Sequence, residues 1–133
     1  VNPQAPNLDA EWRRLDYKVE AGAEFILTPP VFDVAAFQQV LPRLRQTGLP
    51  IIAGLVPLES ARQAEFIGSE VPDAAVPEAV LIRMRAAADP VAEGLRLALE
   101  IFAALRADVQ GISVRPLHGS TESVERWLAA VRG

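Results

Sequence analysis

The sequence predicts an α/β fold of about three parallel strands with covering helices, in a sheet too small to close on itself. Three observations predict it. Amphipathic helical segments alternate with short apolar runs, the order that builds parallel sheets. The apolar runs are continuous, as in strands covered on both faces. The 133 residues are 50% hydrophobic and their mean hydropathy is +0.18. That is rich for one domain of ordinary size and fits segments buried on more than one side.

Residues 8–21 set Leu8, Trp12, Leu15 and Val19 on one helical face, with Asn7 as cap and Gly22 as terminator. Phe25-Ile26-Leu27 reads as a buried strand stopped by Pro29-Pro30. Asp33 caps a second helix with Phe37, Val40, Leu41 and Leu44 inward; Pro42 predicts a kink and Gly48 an end. Residues 50–56 form the second strand, closed by Pro57. Helical segments follow at 60–68 and 77–87, with Pro77 in the first turn of the latter. Asp89-Pro90 opens the longest helix, with Val91, Leu95, Ala98, Phe102 and Leu105 as its stripe. Ile112-Ser113-Val114 is a third strand. Ser120 or Thr121 then caps a last helix whose Val124, Trp127, Leu128 and Val131 point inward. Trp12 and Trp127, both on apolar stripes, are assigned to the core.

A closed barrel of alternating strands and helices needs eight strands and about 250 residues. Alone, an open three-stranded sheet would expose two apolar edges. Residues 1–133 therefore read as a single partial domain that packs against a missing half or a partner chain, with a small complete α/β domain as the alternative. Val1-Asn2-Pro3 reads as the tail of an earlier strand in a longer chain.

Composition excludes several functions. The net charge of −4 and the pI near 5.0, with basic residues scattered among acids, give no basic face for nucleic acid. No apolar run approaches the roughly 18 residues that span a bilayer. The absence of cysteine removes disulfides, thiolate catalysis and cysteine-ligated metal, and fits a cytoplasmic protein. His118, the one histidine, follows a strand end; with no second histidine or cysteine, no metal site is expected and the residue reads as an exposed loop position. Glu59, Glu65, Glu70 and Asp73 cluster in sequence and read as structural or solvated carboxylates. Neither Gly54 nor Gly111 belongs to a phosphate-loop spacing.

Specific runs carry a resemblance. Lys18-Val19-Glu20-Ala21-Gly22-Ala23-Glu24-Phe25-Ile26-Leu27-Thr28, followed by Phe32-Asp33, resembles the K-V-D-A-G-A-D-F-I-x-T/S and F-D pattern of methylenetetrahydrofolate reductases. Ile52-Ala53-Gly54-Leu55-Val56-Pro57 is similar to that family's I-x-G-I-x-P strand and turn, and Asn2-Pro3 to the end of an earlier strand. Residues 64–72 and Gln110-Gly111-Ile112 resemble the subgroup often fused to a homocysteine methyltransferase. The resemblance implies the C-terminal portion of a (β/α)8 TIM-type barrel, from the end of strand five through strand eight. It also implies a flavoenzyme of one-carbon and methionine metabolism. FAD would take a hydride from NAD(P)H and reduce 5,10-methylenetetrahydrofolate to 5-methyltetrahydrofolate.

By the same resemblance Lys18, Arg14 and Asn2 fall at flavin-side positions, and Thr28, Pro29 and Ala61 on the folate-substrate wall. A lysine at position 18 also reads as a solvated helix residue, and a threonine before two prolines as ordinary turn chemistry. The sequence departs from the family at Pro29, where a glutamine is expected, and at Ala61, where an aromatic residue or leucine is expected. No arginine stands after the last strand unless Arg115 serves by a change of register. These departures leave two alternatives: a degenerate, non-catalytic scaffold, or a flavin-independent barrel acting on another one-carbon carrier.

Overall fold

The computed structural model describes residues 7–71, 74–117 and 121–132. Helix α1 (Leu8–Glu20) begins where the Asn7 side chain accepts from Ala10 N at 3.0 Å. Its exit passes through Gly22 at φ +103°, a conformation that side chains disfavour. Strand β1 (Ile26–Pro30) leads to α2 (Val34–Arg45), capped by Asp33 on Ala36 N at 3.0 Å. Strand β2 (Ile51–Leu55) leads to α3 (Ala61–Glu70), capped by Ser60 on Gln63 N at 3.1 Å. Then come α4 (Glu78–Ala86), α5 (Pro90–Leu105) with Asp89 as its cap, β3 (Gly111–Val114) and α6 (Glu122–Arg132).

The strands lie in the order β1-β2-β3 and both pairs are parallel. Parallel neighbours need long crossovers; α2 makes the first, and α3 to α5 make the second. Leu27 stands opposite Ile52, and Ile52 opposite Gly111. The core gathers where the helices cover β2: Ile51, Ala53 and Leu55 are buried with Leu44, Ile67, Met84 and Leu105.

The other face is open. Ile26 and Thr28 are buried, while Leu27 between them is 44% exposed. A Cβ on Gly111 would lie 3.5 Å from Ile52 Cγ1, so Leu27, Ile52 and Gly111 share that face. The expected cover on both strand faces is that of a chain joined to a missing half or a partner; among the described residues one face is covered. An apolar strand shows what it is able to bury, and here only one face is packed by helices.

Three finer expectations change. Pro29 and Pro30 lie within β1 rather than stopping it, because the strand bulges there, and Phe25 precedes the strand. The buried face of α5 is Gly94, Leu97, Ala98, Ile101 and Leu105, about one position round from the predicted stripe. Gly94 decides this: a Cβ there would sit 1.7 Å from the Leu58 carbonyl oxygen, so the helix seats its glycine on the chain after β2. In α6, Ser123 and Trp127 are buried, whereas Leu128 and Val131 are 38% and 37% exposed. Trp127 meets Phe102 of α5 edge to face at 5.2 Å, and that contact sets the helix rotation. Pro42 lies inside α2, which continues to Arg45.

Candidate functional site

Helical spacing brings the two predicted cations together. Arg14 and Lys18 stand one turn apart on the same face of α1, with Glu11 and Leu15. That face borders a groove of about 330 Å³ whose apolar floor includes Phe25, Leu27 and Leu49. Phe25 is 52% exposed, an unusual state for a phenylalanine beside a core. Arg14 donates to Glu11 Oε1 at 2.6 Å. Among the described residues the Lys18 side chain has no hydrogen bond or ion pair, which leaves its ammonium available to an anion. The groove runs from the N-terminal end of β1 along α1 toward Glu11.

The predicted substrate wall stands at the opposite end of β1. Leu27 faces Ile52 and Pro30 faces Gly54, so Thr28 and Pro29 together oppose Ala53, which makes a β-bulge. The Thr28 hydroxyl accepts from Gly54 N at 3.0 Å and donates to Pro29 O at 2.9 Å. Thr28 is 5% exposed. Its one donor and its acceptor are thus engaged within the fold. Pro29 is half-buried, and Ala61, half-buried too, opens α3 directly after the Ser60 cap. Arg115 follows β3 at this same end and is exposed. Asn2, Asp73 and His118 lie outside the described residues.

Several positions of the candidate site were not evident in the sequence. Glu11 is the counter-ion of Arg14, a pairing visible in their three-residue spacing. Phe25 and Leu27 line the groove instead of the core; only strand register reveals that. Gly54 is required by close approach, since a Cβ there would lie 2.8 Å from Thr28 O and 3.1 Å from Pro29 C. Glu65 serves as a salt-bridge partner of Arg85 at 2.9 Å, in keeping with a structural reading. Among the described residues no group of three or more His, Cys, Asp or Glu side chains is placed to hold a metal. No helix of the described residues is long and apolar enough to cross a membrane.

A parallel sheet with helical crossovers, one open face and its strand ends gathered on one side is a partial (β/α) barrel. The profile of the family described as methylenetetrahydrofolate reductase matches residues 1–129. The chain belongs to the methylenetetrahydrofolate reductase family. It is similar to a probable methylenetetrahydrofolate reductase (NADPH) of Caenorhabditis elegans, 36% identical over 59 residues that make up 43% of this chain and 9% of that protein. It also matches the solved structure of an uncharacterized protein from Clostridium thermocellum that binds two copies of 5-methyl-5,6,7,8-tetrahydrofolic acid. The TM-score there is 0.65 at 20% identity, over 90% of this chain and 46% of that one. This chain thus spans about half of the solved neighbour and a small part of the curated relative.

Proposed function

We propose that this chain supplies the C-terminal strands of a cytoplasmic, flavin-dependent oxidoreductase that reduces 5,10-methylenetetrahydrofolate to 5-methyltetrahydrofolate with NAD(P)H. The observation that supports it best is the three-stranded parallel sheet of a partial barrel under a family match over residues 1–129. The groove beside Arg14 and Lys18 begins at the N-terminal end of β1 and would take the phosphate and adenosine part of a dinucleotide, its reacting ring lying toward the mouth. A dinucleotide cofactor carries phosphates between flat ring systems, and this groove offers both kinds of contact. Lys18 would hold phosphate as a point charge, with Arg14 one turn along the helix. Phe25 and Leu27 would cover ring surface. Asn2 joins this set by family resemblance alone. When bound, FAD supplies the hydride chemistry; the protein's part is binding, orientation and exclusion of water.

At the mouth of the strands, Pro29 and Ala61 would form one wall for a folate-type substrate, with the buried Thr28 behind Pro29. A barrel places its chemistry at the C-terminal ends of its strands, which is where these residues stand. The complementary half of the barrel, in the same polypeptide or a partner chain, covers the open face of Leu27, Ile52 and Gly111 and supplies the catalytic acid.

The test is a titration with FAD, followed by flavin fluorescence, of the intact protein and its Lys18→Ala variant. Losing one charge-assisted phosphate contact is expected to weaken FAD about tenfold. An intact, folded protein that ignores FAD sinks the flavoenzyme reading. A second reading, a flavin-independent folate barrel, is favoured by Pro29 and by the buried Thr28 hydroxyl, whose one donor is already used, which leave this wall little polar chemistry. It predicts binding of 5-methyltetrahydrofolate with no FAD present. A protein that binds neither ligand is a scaffold.

A further inference from the structure

We infer that Thr28 and Gly54 form a latch that sets the position of the Pro29–Pro30 wall, so that Thr28 governs ligand affinity at the mouth without touching the ligand. This rests on the folate reading of the mouth. Bulges are uncommon in parallel pairs, and those beside functional sites re-aim the residues that follow. Here Thr28 and Pro29 crowd opposite Ala53, and Pro29 has no N–H to donate to the ladder. An unaided bulge would leave the buried Gly54 N–H without a partner. Thr28 Oγ takes that bond at 3.0 Å and returns its own proton to Pro29 O at 2.9 Å. Gly54 is gripped from its other side as well, because its carbonyl accepts from Val31 N at 3.0 Å. The missing Cβ of Gly54 admits the bulge backbone, which an added carbon would meet at 2.8 Å. Both polar groups of one glycine therefore clamp the segment on either side of the two prolines, whose own φ angles are fixed by their rings. Val31 and Phe32, next in the chain, are buried at 7% and 5% exposure, which anchors the far end. The result is a preformed wall, and a preformed wall binds without the cost of ordering it.

The experiment compares Thr28→Val, which keeps the shape and deletes the hydroxyl, with Thr28→Ser, which keeps the hydroxyl. Binding of 5-methyltetrahydrofolate to the intact protein is measured by calorimetry, alongside thermal melting, FAD affinity and steady-state kinetics. Thr28→Val is expected to raise the folate Kd and KM about tenfold, leaving kcat and FAD affinity near the wild-type values. Thr28→Ser is expected to restore folate affinity to within about twofold. If Thr28→Val does not fold, Gly54→Ala serves instead: it keeps every hydroxyl, displaces the bulge and is expected to weaken folate in the same way. A folded Thr28→Val or Gly54→Ala protein with unchanged folate affinity overturns the latch. A wild-type protein that binds no 5-methyltetrahydrofolate overturns the folate reading itself, which is a different result.

Discussion

Gly94→Ala tests the packing that fixes the long helix. In an exposed helix this change stabilises, because alanine is favoured over glycine by about 1 kcal/mol. Here the added Cβ would lie 1.7 Å from Leu58 O and 2.5 Å from Leu58 C. An ordinary contact is about 3.5 Å, so α5 or the chain after β2 must retreat by more than roughly 1 Å. Leu58 is 1% exposed, and Leu97, Ala98 and Ile101 are buried on the same helical face. A retreat therefore opens a gap beneath several side chains, and a gap of 0.5–1 Å forfeits roughly a quarter to a half of each contact. Overpacking of this kind costs about 3 kcal/mol at the upper end of its usual range. Set against the propensity gain, the net loss is about 2 kcal/mol. At roughly 4 °C per kcal/mol for a chain of this length, Tm falls by roughly 8 °C. Gly68→Ala is the control: its Cβ would meet Val76 at 3.7 and 3.8 Å, ordinary contacts, so it is expected to stabilise by about 0.5–1 kcal/mol. Thermal melting and urea unfolding of both variants read the difference. A Gly94→Ala protein stabilised like Gly68→Ala would refute the packing argument.

Other outcomes follow from specific contacts. Arg83 of α4 holds Glu93 and Glu100 of α5, the latter at 2.6 and 2.9 Å. Its hydrogen bonds keep both carboxyls below the usual glutamate range. Groups depressed in the folded state stabilise it above their unfolded pKa, and that stabilisation is lost as the pH falls. The wild-type Tm should therefore fall more steeply than that of Arg83→Met between about pH 5 and pH 3; parallel curves would remove the clasp. Gln110 imitates a strand residue: its Oε1 accepts from Ile51 N at 2.8 Å and its own N–H donates to Ile51 O at 2.9 Å. Gln110→Ala orphans an amide on a residue only 1% exposed, so it is expected to cost about 1–2 kcal/mol and to speed hydrogen exchange at Ile51, whereas unchanged protection there would count against the role.

The element order was legible because it rests on local chemistry. Asn7, Asp33 and Asp89 are caps in the sequence and caps in the fold, each accepting a bond three residues on. The order helix-strand-helix and the parallel sheet follow from the same pattern. What escaped depends on neighbours distant in sequence. Pro29 and Pro30 look like a strand stop until Thr28 meets Gly54, 26 residues away. The buried face of α5 is chosen by Gly94 against Leu58, and apolar periodicity is blind to that because leucines and alanines surround the helix. At the candidate site the pairing of Arg14 with Lys18 was legible as one helical turn. The apolar groove beneath them was not, since Phe25 and Leu27 look like core in any reading of composition.

The two ends of β1 differ in the chemistry they present. Along α1 the chain presents charge: a Lys18 side chain without an ion pair among the described residues, and an Arg14 paired there with the half-buried Glu11 carboxylate. At the mouth it withholds polar groups. Pro29, Pro30, Pro57 and Pro116 have no N–H. Two donors nearby are already used, Val31 N by Gly54 O and Arg115 N by Leu55 O, each at 3.0 Å. A ligand edge rich in donors and acceptors would lose much of its binding if left unpaired against such a wall. On the proposed folate reading, this part of the barrel would contribute shape and a rigid surface with few donors. The polar reading of a pterin would then fall to the proposed complementary half or to the exposed Arg115 side chain. That division would account for Pro29 where a hydrogen-bonding glutamine is expected: the proposed latch would keep the wall in place while selectivity is set across the mouth.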